Sequence, residues 1–139
     1  MRYFSIEPEV AGDLGENTIM DSNRHPPLVK KLHYEFITWL GDALLESFPC
    51  FIVTESGMKK LQAASLTGIN FGPVEVTASE EFQDFYPDRK LPTFAWMQAQ
   101  GVPGQDDFSI GPDFRLVVSE RALQVLRELG ISHAKVQGL

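Results

Sequence analysis

Cysteine is nearly missing from this chain: Cys50 stands alone, which excludes an internal disulfide framework and fits a reducing compartment. Long apolar runs are missing too. None approaches the roughly 18–20 residues that a membrane helix needs, so no membrane span is expected. The opening stretch Arg2-Tyr3-Phe4-Ser5-Ile6-Glu7 is too short and too polar for a signal peptide, and a cytoplasmic location is the expectation. Positive charge is scarce. The chain carries 12 Lys and Arg against 19 Asp and Glu, for a net charge of −7. That imbalance is local: residues 1–88 hold 14 carboxylates against 6 Lys and Arg, while residues 89–139 hold 5 against 6. An acidic surface repels nucleic-acid phosphates and steers basic partners, so nucleic-acid binding is disfavoured.

What is present suits one globular domain spanning residues 1–139. The chain is 43% hydrophobic and 22% charged, and its length allows a sizeable core. It is organised around a stretch that occurs twice. With a shift of 65 positions, residues 52–71 lie over residues 117–136 without a gap. Ile52 meets Val117, Val53 meets Val118, Thr54 meets Ser119 and Glu55 meets Glu120; further on, Leu61 meets Leu126 and Thr67 meets Ser132. Each copy reads as a buried strand, a hydroxyl N-cap, a Glu in the first helical turn, an amphipathic helix, a turn and another strand. The hydroxyl accepts from an otherwise orphaned backbone N–H, and the Glu sits at the positive end of the helix dipole.

Taken in order, residues 2–7 are β-prone and Pro8 limits the strand. Residues 11–27 are rich in Gly, Asn, Asp and Pro and read as a long loop. Residues 31–38 alternate, with Leu32, Tyr34 and Phe36 on one side and His33 and Glu35 on the other, which predicts a half-buried strand. The spacing of Leu32, Phe36 and Trp39 also suits a helix. Asp42 is placed to cap a short helix through Ser47. The first repeat helix covers about 55–65, and a strand follows near Val74–Thr77. Ser79 caps a helical turn over Glu80–Phe85, which must end before Pro87. Residues 93–99 predict a strand and 101–111 a loop. The second copy supplies a strand at 115–118, a helix at 120–129 with Gly130 as C-cap, and a strand at 132–136. The expected fold class is α+β: a mixed, largely antiparallel sheet, with both repeat helices packed on it.

Residues able to carry chemistry are few. His25, His33 and Glu35 suggest an acid–base or metal site under a lid formed by residues 11–27, but an i,i+2 polar pair is what any solvated strand face shows. His133 has no evident partner and reads as a surface or edge histidine. Cys50 enters the most apolar strand with no base nearby, the setting of a structural thiol. Asp13, Glu16 and Asp21 beside Asn17 offer oxygen ligands without the spacing of a calcium loop. No phosphate-binding loop or nucleophile elbow is present. No catalytic residue, metal or cofactor is therefore expected. One segment stands out for binding: Glu75, Glu80, Glu81, Asp84 and Asp88 fall within 14 residues that contain no Lys or Arg, interleaved with Phe82, Phe85 and Tyr86. Carboxylates around aromatic anchors are the composition of a contact site for a basic protein. The pair Asp106-Asp107 extends it if the fold brings the two together.

The run Gly15-Glu16-Asn17-Thr18, then His25-Pro26-Pro27, then LHYEFITWLGDALLESFPCFIVTE (residues 32–55) and LVVSERALQVLRELGIS (residues 116–132) is more particular than patterning demands. It resembles, over about residues 1–136, a bacterial immunity-protein family of polymorphic-toxin and contact-dependent competition systems, the family numbered eleven and earlier a domain of unknown function. The resemblance implies a cytoplasmic antidote that binds and blocks a cognate toxin domain, with no catalytic residues to carry over. On charge and aromatics, the expected toxin-facing residues are Glu75, Glu80, Glu81, Asp84, Phe85, Tyr86, Asp88, Asp106 and Asp107. Two competing readings are a small-molecule or enzymatic site near residues 11–27, and an adaptor or dimerisation module of a secretion system.

Overall fold

The computed structural model describes residues 2–139. Its elements run β1 (Tyr3–Glu7), β2 (Gly12–Leu14), β3 (Ile19–Asp21), β4 (Leu28–Lys31), β5 (His33–Phe36), β6 (Leu44–Ser47), β7 (Cys50–Thr54), α1 (Glu55–Ala63), β8 (Ile69–Gly72), β9 (Glu75–Ala78), α2 (Glu80–Phe85), β10 (Phe94–Ala99), β11 (Phe108–Ile110), β12 (Leu116–Ser119), α3 (Glu120–Leu129) and β13 (Lys135–Gly138). The α+β class stands, and every strand pairing but β5–β9 is antiparallel among these elements.

Both repeat helices start as their caps dictate. Thr54 Oγ1 accepts from Gly57 N at 3.1 Å, and Ser119 Oγ accepts from Ala122 N at 3.2 Å. Both end at a residue in the left-handed region, Ser65 (φ 54°) just past α1 and Gly130 (φ 103°) at the C-cap of α3. These two positions are also 65 apart.

The duplication extends to the sheets. One sheet has the order β11-β12-β1-β13 and another the order β6-β7-β10-β8. In each, the strand before the helix and the strand after it flank a central antiparallel strand. Tyr3 faces Ser119 as Phe94 faces Thr54, and Ile6 faces Val136 as Met97 faces Phe71. The registers therefore match residue for residue under the shift. The central strand comes from opposite directions along the chain: β10 follows its unit, whereas β1 precedes everything. The second half is thus a circularly permuted version of the first, completed by the chain's first strand. Edge strands β6 and β11 differ by one residue of register, with Leu44 facing Val53 but Phe108 facing Val118.

The expectation that both helices lie on one sheet is corrected by this arrangement. α1 packs on β7 and β10, α3 packs on β12 and β1, and the two helices pack on each other. Gly57 permits that approach: a Cβ there would meet Val53 and Thr54 at 3.0 and 2.9 Å and Leu129 at 3.1 Å. Between the two sheets lies one core containing Ile6, Phe51, Val53, Leu61, Met97, Phe108, Leu116, Val118, Leu123 and Leu126.

The opposite face of the β6-β7-β10-β8 sheet packs on a third sheet, β2-β5-β9, through Leu45, Cys50, Ile52 and Phe94 against Tyr34, Phe36, Trp39 and Phe82. Strand β7 is therefore covered on both faces, Phe51 and Val53 toward one core and Cys50 and Ile52 toward the other. A doubly buried strand has no polar face, which is why Cys50–Val53 reads as an unbroken apolar run.

Several local expectations change. The 11–27 stretch is not a loop throughout: it carries β2, paired with β5, and β3, paired with β4. The 31–38 strand begins at His33 and ends at Phe36, with Leu32 separating it from β4. Residues 44–47 form a strand rather than a helix, because Leu44 and Leu45 serve opposite cores and only an extended backbone sends neighbours to opposite sides. The 101–111 loop contains β11, and the last strand begins at Lys135 rather than 132. Among the described residues no helix is long and apolar enough to cross a membrane.

Candidate functional site

Helix α2 follows β9 at the edge of the third sheet. Ser79 Oγ accepts from Phe82 N at 3.1 Å and starts the turn, Gln83 Nε2 donates to Ala78 O at 3.1 Å, and Tyr86 N closes on Phe82 O at 2.8 Å. Phe82 is the buried anchor, packed edge-on to Phe36 with centroids 6.0 Å apart. With that face turned inward, Glu80, Glu81, Asp84, Phe85 and Asp88 face solvent. Phe85 is 69% exposed. Tyr86 is half-buried, stacked on Phe82 at 4.9 Å and leaning toward Phe85 at 6.4 Å.

The electrostatics of this face are one-sided. Among the described residues no Lys, Arg or His nitrogen lies within 4.0 Å of the carboxylates of Glu80, Glu81, Asp84 or Asp88. The Glu81 carboxyl is held below its ordinary range by its own backbone N–H and by the Ser79 hydroxyl, so it is charged at neutral pH. The nearest cation in the chain, Arg89, is committed elsewhere. Its guanidinium lies over the rings of Trp39 (4.3 Å) and Tyr86 (5.0 Å) and donates to Trp39 O at 2.7 Å.

The remaining expected contact residues are not equivalent to these. Glu75 is half-buried and engaged: it accepts from Asn17 Nδ2 at 3.1 Å and has Lys31 Nζ and His33 Nε2 at 4.0 Å. Asp106 accepts from Val102 N at 2.7 Å within its own loop. Asp107 is buried, at 3% exposure, beneath Arg121. Nor does the fold unite that pair with α2. Phe94, at one end of β10, packs on the Phe36 ring that meets Phe82, whereas residues 106–107 lie beyond Ala99 at the other end. Six extended residues separate the two places by roughly 20 Å. The 106–107 pair is therefore not an extension of the acidic face.

The histidine site does not assemble. His33 is buried; its Nδ1 accepts from Asn17 N at 3.2 Å, which leaves Nε2–H to donate to Thr77 Oγ1 at 2.7 Å. Its ring packs so closely on Gly15 that a Cβ there would overlap it, so residues 15–18 cover it as structure rather than as a lid over a cavity. His25 lies against Phe114 (5.1 Å, edge-on) and Phe48 (6.3 Å), not beside His33. Cys50 is buried, and burial pushes its thiol up to about 12. Asp13, Glu16 and Asp21 converge on no common point among the described residues.

Two groups escaped the reading of the sequence: Glu9, and the contact between Asp42 and His133. A signal for the second was available, since Asp42 lies 65 residues before Asp107 and so belongs to the repeat. Compared with protein-family models, with curated proteins and with solved structures, the chain matches none.

Proposed function

We propose that this chain is an immunity protein, a cytoplasmic antidote that binds a cognate bacterial toxin domain and blocks it by occupying a basic face of that toxin. The observation that carries the reading is the α2 face: four exposed carboxylates with no Lys, Arg or His nitrogen within 4.0 Å among the described residues, set around a Phe85 side chain that is 69% exposed. Unneutralised carboxylates are available to a partner that supplies positive charge, and an exposed aromatic among them offers the apolar contact that such charges alone lack. A toxin that acts on nucleic acid presents a basic face to its substrate, and carboxylates can stand there in place of phosphates. The resemblance of residues 32–55 and 116–132 to the immunity family supports the same reading.

The test is a pull-down with the product of the gene adjacent to its own, followed by rescue of cells expressing that product. Association kinetics then locate the surface. Replacing Glu80, Glu81 and Asp84 by Lys is expected to slow association by a factor that shrinks with added salt, because exposed charges are screened beyond roughly 8–10 Å near physiological ionic strength. Rescue with an association rate unchanged at low salt would move the site away from α2. Failure of both pull-down and rescue would remove the immunity reading.

A further inference from the structure

Three donors of the metal-binding kind meet at the junction of the two halves, away from α2. Glu9 leaves β1, Asp42 precedes β6, and His133 stands in the turn after α3. One ligand atom from each lies within 4.8 Å of the other two. Glu9 and Asp42 are buried, at 6% and 2% exposure, while His133 is open to solvent. The carboxylates are held in place from behind. Glu9 Oε2 accepts from Leu40 N at 2.6 Å and Oε1 from Asp42 N at 3.2 Å. Asp42 Oδ2 accepts from His133 N at 2.8 Å, and Oδ1 accepts from Ser132 Oγ at 3.4 Å and faces His133 Nδ1 at 2.8 Å. An ionised carboxylate has about four lone-pair sites, so each retains acceptor capacity. Bonds of this kind also orient ligands from behind in metal sites.

The duplication supplies an internal comparison. Asp107 occupies in one half the position that Asp42 occupies in the other, and it is neutralised by two guanidinium contacts, Arg121 Nε at 2.9 Å and Nη2 at 2.7 Å. A buried carboxylate needs such a counter-charge. At Asp42 the requirement is doubled, because Glu9 is buried beside it. Among the described residues, no Lys or Arg nitrogen lies within 4.0 Å of either. Two carboxylates therefore share one imidazole; Glu9 and His133 line an open cleft with Glu7, Leu40, Glu46 and Lys135, while Asp42 is buried and not part of that lining.

We propose that Glu9, Asp42 and His133 form a binding site for a divalent first-row transition ion of the zinc type. Two carboxylates and an imidazole suit such borderline ions, and the set contains no thiolate that would select a softer one. Ligand distances of about 2.0–2.2 Å put neighbouring donors roughly 3–4 Å apart, so the triangle needs only a small contraction. The ion replaces the direct 2.8 Å contact between Nδ1 and Asp42 Oδ1, and solvent in the cleft completes its coordination. It ties the turn before β6 to the turn after α3, and so joins the two halves.

The test uses the untagged 139-residue chain after chelator treatment, titrated with Zn²⁺ by calorimetry and followed by thermal melting. One ion per chain is expected, with a higher melting temperature and at least a tenfold loss of affinity in His133→Ala and in Glu9→Gln. His133→Ala also takes the imidazole away from buried Asp42, so circular dichroism checks that it folds, and Glu9→Gln keeps the test open if it does not. Arg121→Ala, which removes the partner of the equivalent aspartate Asp107 in the other half, is expected to bind as the parent does. No saturable binding at millimolar Zn²⁺, or binding unaffected in folded His133→Ala, would overturn the assignment.

Discussion

The Asp107 carboxylate accepts from the Thr67 hydroxyl at 3.3 Å as well as from its backbone N–H at 2.9 Å, and the pair Asp42–Ser132 repeats the hydroxyl contact in the other half at 3.4 Å. Asp42 and Asp107 are 65 residues apart, and so are Thr67 and Ser132. Each half therefore uses a buried aspartate ahead of its β7 or β12 strand to hold the turn that follows the other half's helix. The two contacts are reciprocal, as the duplication requires.

The Asp107 contact is expected to contribute to the loss of stability in acid. Burial would raise its carboxyl, but hydrogen bonds from Arg121, Ser119 and Thr67, with the charge of Arg121, outweigh that and hold it well below the ordinary carboxylate range. A depressed folded value means the contribution is present above the unfolded value near pH 4 and is lost as pH falls below it. Asp107→Asn is expected to cost about 2–4 kcal/mol at pH 7, since it leaves donors facing an amide, and to flatten the acid limb. Urea unfolding from pH 2 to 7 measures both; an acid limb identical in the variant would place the titration elsewhere.

Equivalent positions should respond alike. Leu61 and Leu126 are 65 apart, both fully buried in the shared core. Leu61→Ala and Leu126→Ala are each expected to cost about 2–5 kcal/mol. If either change falls within about 0.5 kcal/mol, the range of surface substitutions, its side chain does not belong to that core.

Phe85 and Tyr86 are adjacent but should separate binding from folding. Phe85 is exposed and stacks only on its neighbour, so Phe85→Ala is expected to shift stability by no more than about 0.5 kcal/mol. Tyr86→Ala removes the contact with Phe82 and the platform under Arg89, at a cost of about 1–2 kcal/mol. Against a bound toxin, Phe85→Ala should speed dissociation with little effect on association. Equal dissociation rates would show that Phe85 is no anchor.

Because β1 takes the place in one half that β10 takes in the other, the chain should tolerate re-opening. Leu139 N donates to Tyr3 O at 3.0 Å, so a short Gly/Ser linker can join the two ends. A permutant opened between Gly104 and Gln105, in an exposed stretch, makes β11-β12-α3-β13-β1 continuous. It is expected to fold with the far-ultraviolet dichroism and melting behaviour of the parent. A permutant that stays unfolded would mean that folding needs β1 ahead of β12 and β13 in the chain.

The sequence by itself determined what short-range physics controls. The caps Thr54, Ser79 and Ser119 begin their helices because each hydroxyl meets an N–H three residues on, a relation written within four residues. The acidic, aromatic α2 segment was legible for the same reason: a single turn with one apolar anchor, Phe82, must turn its charges outward. Pairing was left to the tertiary structure. Strands β2, β3 and β11 are three residues each and exist only because β5, β4 and β12 lie beside them, so turn-like composition concealed them. Leu44 and Leu45 looked helical until two cores claimed opposite sides of one strand. Charge shows the same division. Asp84 and Asp107 are the same residue type, but one faces water and the other lies under Arg121. What separates them is which distant elements the chain folds over each, and no local pattern records that.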